Sequence, residues 1–304
     1  GESSSSKISR YIKILKKKKI DCSFITASEN VAWLLNIRGN DSKYSPLPIS
    51  QALVDVKGGI KLFCNEKQLK KSLRKSLEKK LEIHDFLHLP NIILNLSKKK
   101  IQIDSLTCSL FYENLLTKNN FIKLKFDPIY YLKSLKNSTE INNTIKSHIL
   151  DGAALTKFIF WIKDNFSNKR ITELDAEKQL LKFRKKSKSF KFLSFPTISG
   201  SGPNSAIIHY RANKKSNRRL KAGDIYLIDS GGQYSYGTTD VTRTLSLNNK
   251  DEKIKDIFTR VLKGHIAVSN FKLNKNTSGK ILDNAARKYL KNINLDYPHG
   301  TGHG

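Results

Sequence analysis

Two aspartates and a histidine stand out because carboxylate oxygens and imidazole nitrogens are the donors of divalent-metal sites. Asp229 closes the apolar run Ile225-Tyr226-Leu227-Ile228, Asp240 follows in Thr238-Thr239-Asp240-Val241-Thr242-Arg243, and His303 lies in Pro298-His299-Gly300-Thr301-Gly302-His303. Alone, Asp229 reads as a turn aspartate ahead of Ser230-Gly231-Gly232. Yet a carboxylate ending an apolar strand is expensive to desolvate unless it is paired, hydrogen-bonded or metal-bound. The glycine-containing turn between Asp229 and Asp240 allows both onto adjacent antiparallel strands, where two carboxylates repel and a cation removes the penalty. The three together read as part of a metal site, with too few carboxylates for two ions, as if an enzyme were interrupted inside its active site.

The other histidines need weighing against plainer roles. His84 and His88 have the same spacing as His299 and His303 but no carboxylate constellation beside them, and read as structural or surface residues. Gly300, Gly302 and Gly304 distinguish the later pair, because glycine permits close backbone approach to a ligand. His209, after Ala206-Ile207-Ile208, reads equally as a hydrogen-bonded core histidine or a site residue. Arg243 could hold a ligating carboxylate in place from behind, or cap a loop.

Around these residues the chain must supply two cores. Its 304 residues exceed the usual size of one hydrophobic core, so two domains are expected. With 38% hydrophobic residues, a mean hydropathy of -0.46 and no long apolar run, packed cores are affordable and a membrane span is excluded. Three cysteines without paired spacing are poor material for a disulfide framework and favour a reducing, cytoplasmic setting. Gly1–Ser6 carries no export signal, and a chain without methionine that begins at Gly1 is not expected to start at its natural N-terminus. The net charge of +30 would suit phosphate, but it is spread over Lys16–Lys19, Lys98–Lys100, Arg184–Lys188 and Lys214–Arg219 without interleaved aromatics. Solvated faces are the better reading, against a dedicated nucleic-acid surface.

Residues 8–132 alternate helical and strand patterns. Ile8, Ile12 and Leu15 recur at helical spacing, and Ser23–Ala27, Gln51–Val56, Ile92–Leu96 and Ile101–Ile103 read as strands of an α/β unit. Polar residues at 136–140 offer N-caps for a long helix through Ile141, Ile149, Phe158 and Ile162, which places a domain boundary near 134. Thr172 with Asp175 forms a capping-box pattern for a further helix. Strands are then expected over Ala206–Tyr210, Ile225–Asp229 and Asp240–Leu247, followed by helices through Ile254–Leu262 and, capped near Ser278, through Ile281–Leu290. The fold class expected is thus an α/β domain over 1–133 followed by an α+β domain over 134–304.

Several segments, in one order, resemble the aminopeptidase P family of "pita-bread" metallopeptidases, in its larger three-domain cytosolic form. They are Thr26–Asp41, Leu193–Tyr210, Tyr226–Tyr234, Gly237–Thr244, Val261–Val268 and the run from His299. The resemblance is strong from 137 onward and around 26–41, and mostly topological between 57 and 133. It implies a creatinase N-terminal-like domain over 1–133 and a pita-bread catalytic domain over 134–304, incomplete at its C-terminus.

By that resemblance Asp229 ligates one metal ion, Asp240 bridges two and His303 binds the second, while His209 and His299 line the substrate site. Two divalent ions, expected to be Mn²⁺ from the carboxylate-rich donors, would activate a water to hydrolyse the first bond of a peptide with proline second. Two further glutamate ligands are expected beyond the final glycine motif, so this fragment alone is expected to be inactive. The family suggests a homodimer. A non-catalytic pita-bread binding module has the charge as its motive, but would have no reason to keep three ligands. A prolidase or creatinase relative is disfavoured by the segments at 33–41 and 199–210.

Overall fold

In the computed structural model, residues 1–303 are described, and they divide into two compact units. The first contains Gly1–Gly152, Ser187–Phe195 and Gly231–Thr239; the second contains Ala153–Lys186, Pro196–Ser230 and the chain from Asp240 on. The division falls inside one long helix, between Gly152 and Ala153.

The first unit opens with helix α1 (Ser4–Lys17), strand β1 (Cys22–Ile25), α2 (Ser28–Leu35), β2 (Ser50–Asp55) and β3 (Ile60–Cys64). It continues through α3 (Lys71–Leu77), β4 (Glu82–His84), α4 (Leu89–Leu94), β5 (Lys100–Ile103), α5 (Leu110–Thr117), β6 (Phe121–Leu124) and α6 (Pro128–Ser134). The strands form one mixed sheet in the order β4-β3-β2-β1-β5-β6. Strand alternation divides its side chains between two cores. Ala52, Val54 and Leu62 join Tyr11, Leu15 and Leu34 on one face, while Leu53, Phe63 and Phe24 join Leu89, Ile93 and Leu116 on the other. A sheet covered on both faces explains why its strands read as continuous apolar runs.

One expected strand is a helix. Ile92–Leu96 overlaps α4, because Pro90 presets the first helical turn and a short apolar run does not distinguish strand from buried helix. All three cysteines are buried and unpaired. Burial pushes the thiol of Cys22 up to about 12 and those of Cys64 and Cys108 up to about 11, so they stay protonated and unreactive at neutral pH.

Next come α7 (Ser138–Asn165), α8 (Glu173–Lys185), β7 (Phe190–Leu193), β8 (Ile198–Ser201), β9 (Ile225–Ser230), β10 (Gly232–Tyr234), β11 (Val241–Ser246), α9 (Glu252–Ser269) and α10 (Gly279–Lys291). β7 and β10 pair antiparallel in the first unit. In the second unit, β11, β9 and β8 form an antiparallel sheet with β9 in the middle. The capping box expected at Thr172 is present: its side chain accepts from the Asp175 N–H and the Asp175 carboxylate accepts from the Thr172 N–H. Tyr226 and Ile228 of β9 pack against Phe158 and Ile162 of α7 and Leu180 of α8. Arg184, expected on a solvated basic face, is fully buried and donates to Ser230 Oγ.

Candidate metal centre

The burial of β9 alternates along the strand. Tyr226, Ile228 and Ser230 turn into the core, so Ile225, Leu227 and Asp229 face the other way. β11 lies antiparallel with Thr242 opposite Asp229. Asp240 immediately precedes β11, two residues before Thr242, which brings it close to Asp229. The second strand begins one residue later than expected, so Asp229 lies on its strand while Asp240 sits just ahead of β11.

Electrostatics agrees with the register. Burial raises the Asp240 carboxyl above its ordinary value, the negative Asp229 raises it further, and His303 acts in the opposite sense. Asp229 Oδ1 is buried with no hydrogen-bond partner. A buried carboxylate oxygen without a donor is costly, and a cation would satisfy it.

The third donor arrives on the glycine-rich tail. His303 Nε2 lies 3.5 Å from Asp240 Oδ2, with the imidazole largely exposed. The donors meet in two pairs that share Asp240. Among the described residues no three His, Cys, Asp or Glu side chains gather closely enough to hold a metal ion.

The tail is held by a residue that sequence reading passed over. Arg287 on α10 is paired with Asp283 and Asp296 and donates to the carbonyl oxygens of Tyr297 and His299 at 2.7 and 2.6 Å. Its guanidinium also lies over the Tyr297 ring, and that ring stacks on His299. Asp283 accepts from Thr301 Oγ1 at 2.5 Å, which fixes the residue between the two glycines. The signal was present: an Asp and an Arg at i, i+4 on an expected helix. His299 Nδ1 lies 2.8 Å from the Gly300 carbonyl, so a proton on Nδ1 leaves Nε2 free.

Two other expected residues are placed differently. His209 is not on a strand: Pro203 starts a 3₁₀ turn over Gly202–Ala206, and the chain leaves it with His209 in the left-handed region at φ 54. Ala206–Tyr210 could not be told from a strand by its apolar run, yet Ile207, Ile208 and His209 are exposed, so the core-histidine alternative is excluded. Arg243 pairs with Ile228, on the face of the sheet opposite Asp229, and donates to the Thr242 carbonyl. Strand alternation therefore turns it away from Asp240.

Glu173 also went unnoticed. Fully buried, it accepts from the N–H groups of Ser201 and Arg218 and from the side chains of Asn204 and Tyr210, which pins the loop that carries His209.

Comparison with known proteins places this geometry in a family. A profile described as "Metallopeptidase family M24" matches residues 142–304, and one described as "Creatinase/Prolidase N-terminal domain" matches residues 1–140. The chain belongs to metallopeptidase family M24. It is 38% identical over 310 residues to a Laccaria bicolor protein named "Probable Xaa-Pro aminopeptidase P", covering all of this chain and 48% of that one. It is 35% identical over 310 residues to Xaa-Pro aminopeptidase 1 of Dictyostelium discoideum, covering 49% of it. The crystal structure of X-prolyl aminopeptidase from Caenorhabditis elegans, described as a cytosolic enzyme with a di-nuclear active site, superposes with a TM-score of 0.93 at 32% identity. That match covers all of this chain and 51% of the other. The M24 chain thus spans about half the length of the relatives it matches. A creatinase N-terminal domain followed by a pita-bread domain is the fold expected from sequence. Among the described residues no helix is long and apolar enough to cross a membrane.

Proposed function

We propose that this chain carries part of the active site of a dimetal Xaa-Pro aminopeptidase, which hydrolyses the first bond of peptides with proline in second position. The observation that carries this reading is Asp240, which touches the field of Asp229 on one side and His303 on the other. Asp229, Asp240 and His303 would each contribute a donor to the metal site without completing it among themselves, and the unpartnered Asp229 Oδ1 fits a cation. Two divalent ions bound there would supply a water acidic enough to attack at neutral pH and would polarise the scissile carbonyl.

The remaining steps belong to the chain. Arg287 fixes the backbone ahead of Gly300 and Asp283 holds Thr301 beyond it, so His299 presents Nε2 as a hydrogen-bonding group for the peptide. His209, exposed on a loop anchored by Glu173, is the second peptide-positioning histidine. Mn²⁺ suits this oxygen-rich donor set better than a thiolate-selected ion does. Homodimeric assembly and a cytoplasmic location follow the same family reading.

The test is release of the N-terminal residue from an Xaa-Pro peptide by the gene's complete product, with and without Mn²⁺. Metal-independent turnover, or full activity of the Asp240→Ala protein, would exclude the mechanism.

A further inference from the structure

The first unit contains a cavity of about 960 Å³, within the size range of ligand sites, that the proposed reaction does not use. Three separate segments line it: the loop from Arg38 to Ile49, the stretch from Cys64 to Leu73, and residues of the β7–β10 pair. The loop wall is preformed. Asp41 Oδ2 accepts from the Ile49 N–H at 2.8 Å, the Gly39 N–H donates to the Pro46 carbonyl, and Gln233 Nε2 donates to the Tyr44 carbonyl at 2.9 Å. Gly39 is required there, since a Cβ would come within 2.7 Å of the Pro48 backbone.

The charge of the lining is unbalanced. Each of the three segments contributes one cation, namely Arg38, Lys70 and Lys191, and among the described residues none of these forms an ion pair. The single carboxylate, Asp41, already accepts a backbone N–H. The lining also carries apolar surface, including Leu73, Phe192 and the 59% exposed Ile49.

We propose that this cavity binds the carboxylate end of a peptide, with the cations on the carboxylate and the apolar walls on the adjoining side chains. A small inorganic anion would leave those walls uncovered, and a neutral apolar ligand would leave three cations unanswered. The reading is independent of the metal site.

Calorimetric titration of the 304-residue chain with N-acetyl-Leu-Ala-Phe, as free acid and as C-terminal amide, tests it; the blocked amine keeps the probe from being an aminopeptidase substrate. The free acid should bind, weaken with salt, and bind about tenfold more tightly than the amide. Lys191→Gln and Arg38→Gln, both at exposed positions, should each weaken the acid by about 2- to 5-fold, while Asp240→Ala should leave it unchanged. Equal binding of acid and amide, competition by equimolar inorganic phosphate, unaltered binding to both variants, or no binding of the acid at millimolar concentration would each overturn the proposal.

Discussion

His303 Nε2 lies 3.5 Å from Asp240 Oδ2, and Asp240 in turn feels the charge of Asp229, so one carboxylate links a strand ladder to a glycine-rich tail. Removing Asp240 should therefore affect both halves of the site. In the gene's complete product, Asp240→Ala should lower kcat/KM for an Xaa-Pro peptide by on the order of 100-fold or more, the equivalent of several kcal/mol of metal-dependent stabilisation. Bound metal, measured by mass spectrometry of the dialysed protein, should fall with it. A variant that keeps both metal and activity would show that Asp240 is not a ligand.

Arg287 should act on the tail without touching the chemistry. It donates to two backbone carbonyls and pairs with two aspartates, a geometry that depends on the planar guanidinium. In Arg287→Lys, amide exchange over 297–303 should rise while exchange in α7 and α8 stays unchanged. Unchanged protection of the tail would remove Arg287 from this role.

Gly264 should resist the substitution that most helices welcome. Alanine is ordinarily better than glycine inside a helix by about 0.5–1 kcal/mol. Here a Cβ would sit 2.2 Å from the Ala286 carbonyl oxygen where α9 meets α10, which forces the helices apart. Overpacking costs about 1–3 kcal/mol, so Gly264→Ala should lower Tm despite its helix propensity. A raised Tm would mean that the two helices can separate freely.

Buried Glu173 should be the second unit's most sensitive polar residue. Glu173→Ala strands at least two backbone N–H groups and two side-chain donors. Each buried donor left unpaired costs about 1–3 kcal/mol, partly relieved where water enters. A loss of at least roughly 3 kcal/mol by urea denaturation is expected; a change under about 1 kcal/mol would contradict the network.

Asp127 gives a pH signature in the first unit. Burial raises its carboxyl above the ordinary value, opposed by hydrogen bonds from the Ile129 N–H and Asn30, with Asp104 raising it and Lys133 lowering it. A raised folded value means that ionisation disfavours the folded state above it, and that the penalty disappears as pH falls to the unfolded value of about 3.9. The wild type should therefore gain Tm relative to Asp127→Asn as pH falls from 7 to 4. A difference that stays flat or moves the other way would exclude a raised value.

The sequence by itself determined the long helices α1 and α7–α10 and the cap at Thr172, because 3.6-residue periodicity and the Thr172–Asp175 pattern are local; Ser278 precedes α10 but makes no capping hydrogen bond. It also pointed to the approach of Asp240 to Asp229, since an apolar strand, a glycine-containing turn and a second strand bring the ends of the turn together. Tertiary structure decided what depends on neighbours distant in sequence. Short apolar runs such as Ile92–Leu96 and Ala206–Tyr210 became a helix and a turn, because burial and proline placement, not hydrophobicity, separate those outcomes. Arg243 went to the wrong face for Asp240 by strand parity. Arg287 and Glu173 acquired their roles only when folding brought their partners to them, because the backbone groups they hold carry no mark in the sequence.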